Sequence, residues 1–291
     1  MSVWFITGAS RGFGAEITRS ALAVGHQVAA AARQPQTVAR LFPDAGERLA
    51  AIPLDVTSQA QAVAAVEAAA SRFGRIDVMV NNAGRGLLAA VEEASDAAVR
   101  AVYETNVFGA LNVLRAVLPV MRAQRSGRIV NISSVGGFVS SPGWGIYNSA
   151  RFALEGISEA LAREVAPLGI TVTIVEPGYF RTDFLDASSL HTETSVIEDY
   201  AETAGATRVR AAQVNHAQPG DPAKAAAAIE QIASADRPPL RIQLGRDSLT
   251  AIADKLTFVA GEQRTWHDLS VSTDHDDVAS ARAGGGGEAE A

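Results

Sequence analysis

Along most of the chain, short runs of apolar, strand-favouring residues alternate with longer stretches in which apolar positions recur at helical spacing. The first run, Val3-Trp4-Phe5-Ile6, gives way to a glycine-rich turn and then to an alanine-rich amphipathic stretch over 15–23. Gln27-Val28-Ala29-Ala30-Ala31-Ala32 reads as a second buried strand and 49–54 as a third, followed by a helix over 58–73 with Thr57 or Ser58 as its cap. Further strands are predicted at 76–80, 128–132, 170–175 and 240–244. Helical patterns cover 97–121, 148–165, 221–235 and 247–262, and the first of these is interrupted in composition at Asn106 and Gly109. A helix after each strand implies parallel strands joined by right-handed crossovers. The expected fold is α/β, a Rossmann-like doubly wound parallel sheet of about seven strands with helices on both faces.

Two regions depart from this alternation. Residues 186–220 are polar, poor in periodic apolar positions, and carry helix-like pieces only near 196–204 and 207–215; a segment of that length beside the carboxyl ends of the strands reads as a substrate-binding lid. From Asp274 the chain becomes acidic and small and runs into Gly284-Gly285-Gly286-Gly287, which reads as a disordered tail. The expected organisation is one domain over 1–273 and a tail over 274–291. A length of 291 residues and 47% hydrophobic content suffice for such a core.

Charge and residue usage narrow the chemistry. A net charge of -7 with no basic run argues against nucleic acid as a partner. The absence of cysteine excludes disulfides and thiolate chemistry, and the five scattered histidines offer no metal-binding pair, so no metal is expected. No stretch reaches the roughly 18 apolar residues a membrane span needs, and the N-terminus lacks the basic leader and cleavage site of a signal peptide. A cytoplasmic protein without membrane partners is expected.

The polar residues at the strand ends carry the functional signal. Thr7-Gly8-Ala9-Ser10-Arg11-Gly12-Phe13-Gly14 stands between a strand and a helix, where backbone N–H groups and the positive helix end can receive a pyrophosphate. A ligand-free turn is the plain alternative. An NAD-selective site would place a carboxylate about twenty residues on, at the end of the second strand; none occurs between Glu16 and Asp44, and Arg33 stands there instead. Arg33 and Arg11 suit a 2′-phosphate through paired guanidinium hydrogen bonds, which favours NADP(H), with two solvated arginines as the alternative. Asn81-Asn82-Ala83-Gly84 ends the fourth strand and Ser133-Ser134 the fifth; Tyr147 and Arg151 lie one helical turn apart. A free tyrosine titrates near about 10, so a cation beside it is what a neutral-pH general acid requires.

Taken together, the glycine turn, Asp55, Asn81-Asn82-Ala83-Gly84, Asn106, Asn131-Ile132-Ser133-Ser134, Tyr147 and Pro177-Gly178 resemble the short-chain dehydrogenase/reductase family over roughly residues 3–260. The resemblance implies cofactor contacts at Gly8, Ser10, Arg11, Gly12, Phe13, Gly14, Arg33, Asp55, Val56, Asn82, Ala83, Gly84, Tyr147, Arg151, Pro177, Gly178 and Thr182. Within that set Asp55 would meet the adenine and Thr182 the nicotinamide amide. It implies a catalytic set of Ser134, Tyr147, Arg151 and Asn106, a small carbonyl or alcohol substrate, and a homodimer or homotetramer. Relatives commonly pair through the helices that carry Asn106 and Tyr147. The departure is Arg151, where the family ordinarily has lysine: arginine keeps the charge but gives up no proton readily. An NADP(H)-dependent ketone reductase or secondary-alcohol dehydrogenase is therefore expected, with a catalytically silent NADP(H)-binding sensor as the alternative. Trp144, Phe138, Tyr179 and Phe184 are candidates for an apolar substrate pocket, or plain packing.

Overall fold

The computed structural model describes residues 1–275. Its central sheet is built from β1 (Val3–Thr7), β2 (Gln27–Ala32), β3 (Leu49–Pro53), β4 (Val78–Asn81), β6 (Gly127–Ile132), β7 (Ile170–Pro177) and β9 (Arg241–Leu244), in the spatial order β3-β2-β1-β4-β6-β7-β9. Every pairing is parallel, with Phe5 opposite Ala29 on one side and Met79 on the other. Parallel strands covered on both faces must be apolar throughout, and their residues divide between two cores with a period of two. Phe5, Ala29, Ala31, Met79 and Ile129 face α3 (Gln59–Phe73), α5 (Gly109–Gln124) and α6 (Gly145–Val165). Trp4, Ile6, Val28, Ala30, Val80 and Val130 face α1 (Gly12–Ala23), α2 (Pro35–Leu41) and α8 (Pro222–Ser234). The run of alanines in β2 thus serves both faces, where small side chains let helices approach closely.

The doubly wound sheet matches the expectation, and several local differences have identifiable causes. The helix expected over 97–121 is divided into α4 (Asp96–Tyr103) and α5 by one widened helical turn at Glu104–Phe108, and the backbone stays helical through both junctions. That turn buries Asn106, whose carboxamide binds the backbone of Arg85, and it brings Gly109 so close to Val56 that a Cβ would lie 2.7 Å from a valine methyl. Helix α6 begins at Gly145, ahead of the expected 148, so Tyr147 lies within its first turn. The 186–220 segment contains a short strand, β8 (Leu190–Thr192), paired in parallel with β5 (Gly86–Leu88), and both expected helical pieces, as the turns Glu198–Tyr200 and Ala201–Gly205 that run directly into α7 (Ala206–Val214).

The chain divides into two compact units, Met1–Leu249 and the residues from Thr250 on. The second carries most of α9 (Arg246–Thr265), together with α10 (His267–Val271). The tail expected from 274 lies, from 276 on, outside the described residues. Among the described residues no helix is long and apolar enough to cross a membrane.

Candidate active site

The strand order reverses between β1 and β4, and in such sheets the crevice beyond the carboxyl ends at the reversal receives ligands. The glycine turn lies there. Gly8 and Gly12 have φ of 67° and 51°, values that favour glycine. Gly14 has a different constraint: a Cβ there would overlap the Gly8 carbonyl oxygen, so the first turn of α1 can lie directly on the end of β1. No side chain caps α1, and its first N–H groups remain available to an anion.

Thr7 fastens this turn to its neighbour. Its hydroxyl accepts from the backbone N–H of Asn82 at 3.0 Å and of Ala83 at 3.1 Å, while the Asn82 carboxamide donates to the carbonyls of Thr7 at 2.9 Å and Gly8 at 3.2 Å. Gly8, Gly14, Asn82, Ala83 and Gly84 therefore form one continuous floor. At its edge, Asp55 accepts from the Thr57 N–H and hydroxyl, and Val56 is buried and accepts from Asn112 at its carbonyl. Arg33 is exposed just beyond β2, with no hydrogen-bond or ionic partner among the described residues. Arg11 reaches the other way, donating to the carbonyl of Ser188 at 2.8 Å. Phe13 meets Phe180 edge to face, and Thr182 stands over Gly12, its methine carbon 3.6 Å from where a Cβ would be. Gly178 leaves room for Asp247, which accepts from the Tyr179 N–H.

Two residues of the expected catalytic set, Tyr147 and Arg151, meet on α6. Arg151 is 5% exposed; its Nε donates to the Tyr147 hydroxyl at 3.2 Å and its Nη1 to the carbonyl of Ile132, at the end of β6, at 3.1 Å. The guanidinium carbon stands 5.2 Å from the tyrosine ring centroid. Nη2 faces Gly84, where a Cβ would overlap it, and has no hydrogen-bond partner among the described residues. One arginine thus spans the phenol, the β6 end and the cofactor-side floor. Asn106 sits beside it, with both ends of its carboxamide engaged by Arg85 at 2.9 Å, so its side chain fixes the turn after Gly84.

Ser134 follows β6 in extended conformation and its hydroxyl accepts from the Gly136 N–H at 3.0 Å. The loop that carries it is tied to α6 by Asn148, the neighbour of Tyr147, which donates to the carbonyl of Val139 and the hydroxyl of Ser140. Of the aromatic candidates, Trp144 and Phe184 gather around Tyr147 at centroid distances of 5.7 and 5.5 Å, with Leu88, Leu190 and Ala211 completing an apolar cluster. Tyr179 is 40% exposed, with its phenol beside the Trp144 side chain, and Phe138 is half-buried outside the cluster.

The 186–220 segment covers this side through three carboxylates. Buried Glu93 accepts from the Arg208 guanidinium at 2.6 and 3.2 Å and from the N–H groups of Ala90 and Ile197. The Arg208 hydrogen bonds, helped by those backbone N–H groups, hold its carboxyl down at about 2 against the opposing effect of burial. Glu193 accepts from the Ser95 N–H and hydroxyl, and Tyr200 donates to Glu92. Thr7 heads the glycine motif, but nothing local shows that its hydroxyl ties two strand ends together, and Glu93 has no local signal at all.

This sheet, this crevice and the paired tyrosine and arginine define a nucleotide-binding oxidoreductase scaffold. Comparison with known proteins agrees: the short chain dehydrogenase family model matches residues 2–193. The chain is 38% identical over 272 residues to oxidoreductase BOA17 of Botryotinia fuckeliana, covering 93% of this chain and 98% of that one. It is 39% identical over 240 residues to 3-ketodihydrosphingosine reductase of Bacteroides thetaiotaomicron, covering 82% and 86%. The crystal structure of a short-chain dehydrogenase from Streptomyces avermitilis superposes with a TM-score of 0.87 at 42% identity, covering 94% of this chain and all of that one. The chain belongs to the short-chain dehydrogenase/reductase family and is an oxidoreductase of that type.

Proposed function

We propose that the protein is an NADP(H)-dependent reductase of ketones, or in reverse a dehydrogenase of secondary alcohols, with Tyr147 as general acid and base. The observation that carries this reading is the hydrogen bond from Arg151 Nε to the Tyr147 hydroxyl inside the apolar cluster of Trp144 and Phe184. The crevice fits a dinucleotide: the uncapped start of α1 and the Gly8–Gly14 approach would hold its pyrophosphate. Asp55 and Val56 would border the adenine, Asn82, Ala83 and Gly84 the neighbouring ribose, and Pro177, Gly178 and Thr182 the nicotinamide end. Arg33, without a partner among the described residues, supports a 2′-phosphate and hence NADP(H), whereas Arg11 is engaged by the Ser188 carbonyl.

The nicotinamide, when bound, supplies the hydride for ketone reduction and accepts it in the reverse direction. Ser134 hydrogen-bonds the carbonyl oxygen and stabilises charge as it develops there. Tyr147 delivers the proton to that oxygen, and the guanidinium of Arg151 stabilises the phenolate that remains. Because arginine keeps its proton and the Asn106 carboxamide is committed to Arg85, Tyr147 recovers its proton from water. Residues 186–220 act as the lid that keeps the site dry during transfer. Exposed Phe108 and Phe152, on the elements that carry Asn106 and Tyr147, support assembly through those faces.

A panel of apolar ketones should drive NADPH consumption, with NADH used at least roughly tenfold less efficiently. Arg151→Lys separates this reading from a silent cofactor-binding protein: turnover within about tenfold of the parent, or lower, shows arginine working in its place. A native chain that binds NADPH yet reduces no ketone, with turnover appearing only in Arg151→Lys, sinks the proposal.

A further inference from the structure

Two turns along α6 from Tyr147, a second cluster of charge lies behind the serine loop. Glu155 on α6 and Glu176 on β7 have side chains 6% and 0% exposed, and among the described residues one cation reaches them. Arg241 on β9 donates to Glu155 Oε2 at 3.1 Å, lies 3.5 Å from Glu176 Oε1, and spends its other end on the half-exposed Glu159 at 2.9 Å. Gln243, also on β9, donates to Glu176 Oε2. If both buried carboxyls were ionised, the interior would hold more negative charge than Arg241 can compensate, which is costly in a low-dielectric setting.

The hydrogen-bond pattern shows where the imbalance sits. Glu155 Oε1, Glu176 Oε1 and the hydroxyl of Ser133 are all buried without a partner. Arg241 Nε stands 3.1 Å from Glu155 Oε2 and 3.5 Å from Glu176 Oε1, so two buried carboxyls crowd one cation, and one proton held between them would relieve the excess charge because a protonated carboxyl both donates and accepts. Burial raises both carboxyls, Glu155 to about 7.

The cluster touches the catalytic loop directly. A Cβ on Gly137 would overlap the Ser133 hydroxyl and lie 2.9 Å from Glu155 Oε1, so the carboxyl fills the space under the Val135–Gly137 turn. The Ser133 N–H donates to the carbonyl of Val175, next to Glu176, at 2.7 Å. Ser134, the next residue, caps that turn.

We propose that Glu155 and Glu176 share a single proton at neutral pH and, through Ser133, act as positioning residues for the turn that presents Ser134. Loss of the proton places two like charges beneath the turn, loosens it and turns Ser134 away from the substrate oxygen. This rests on the reading of Ser134 given above, and the experiment separates the two. Infrared difference spectra of the native chain, titrated from about pH 5 to about pH 9, should show the carbonyl band of a buried carboxylic acid disappearing near neutral pH. Glu155→Gln should abolish that band. Amide hydrogen exchange of 133–138 should quicken at least roughly threefold on the alkaline side in the native chain beyond its intrinsic pH dependence, and not in Glu155→Gln. kcat should fall roughly threefold to tenfold over the same range with KM for NADPH unchanged, and the fall should flatten in Glu155→Gln. Should that variant not fold, Glu176→Gln replaces it with the same expectations. No carboxylic band at pH 6 to 7 (about one unit around neutrality) overturns the shared proton. A band whose loss leaves exchange of 133–138 unaltered in the native chain, or the same alkaline quickening in Glu155→Gln, overturns the positioning role. Absence of turnover in the native chain sinks only the functional reading, because the band and the exchange are measured without substrate.

Discussion

The floor under the glycine turn and the cover formed by residues 186–220 are built in opposite ways. The floor is assembled from residues at adjacent strand ends, joined by backbone groups and one threonine hydroxyl, with glycine where a side chain would collide. The cover is fastened by charged side chains far apart in sequence, such as Arg208 and Glu93, which are separated by 115 residues. A floor of backbone and small side chains is rigid and tolerates almost no added volume. The Arg208–Glu93 latch is separate from the β5–β8 pairing and the Arg11 contact to Ser188 that join cover to floor, so the cover can loosen at the latch without disturbing the floor, and binding of the dinucleotide and enclosure of the substrate should fail independently.

Gly14→Ala should give the largest effect, because its Cβ would meet the Gly8 carbonyl and the Asn82 amide nitrogen, both parts of the floor. We expect about 2 to 3 kcal/mol of lost stability and roughly hundredfold weaker NADPH binding, measured by urea unfolding and nucleotide fluorescence. Unchanged affinity would show that the floor is not where the dinucleotide lies.

Glu93→Gln leaves Arg208 largely buried without its counter-charge and should cost about 2 kcal/mol, confined to the cover. Protease cleavage within 190–214 should appear while NADPH affinity stays within about twofold. The pH dependence follows from the depressed carboxyl: with a folded value of about 2 against 4.5, the latch contributes fully above about 4.5 and is lost as pH falls toward 2. Cleavage of the native chain by an acid-active protease should rise in that window, and Glu93→Gln should lack this dependence. Smallest is Arg33→Ala, which should weaken NADPH roughly tenfold and leave NADH unaffected, read from the ratio of the two dissociation constants. An equal loss for both nucleotides would remove Arg33 from the 2′-phosphate.

The same contrast explains what the sequence revealed. Strands such as Gln27–Ala32 and the doubly wound parallel arrangement could be read because burial on two faces demands apolar runs and each is punctuated by its own turn. The site motifs were visible for the same reason: Gly8 to Gly14, Asn82 to Gly84, and Tyr147 with Arg151 are local groupings. The split at Glu104–Phe108 was only hinted at by Asn106 and Gly109, since its causes are contacts with Arg85 and Val56 across the fold. The short strand Leu190–Thr192, the Glu93 latch and the Glu155, Glu176 and Arg241 cluster were silent. Each depends on partners brought together by the finished sheet, and a single glutamate in an amphipathic helix looks like any solvated one.

The central claim is that Tyr147, held by Arg151, transfers the proton. Its most direct test is Tyr147→Phe, with NADPH binding and ketone-dependent NADPH oxidation measured on the same preparation. The account predicts that NADPH still binds within about threefold of the parent, whereas kcat falls at least roughly a hundredfold. Ketone reduction by Tyr147→Phe at a rate close to the parent's would contradict it.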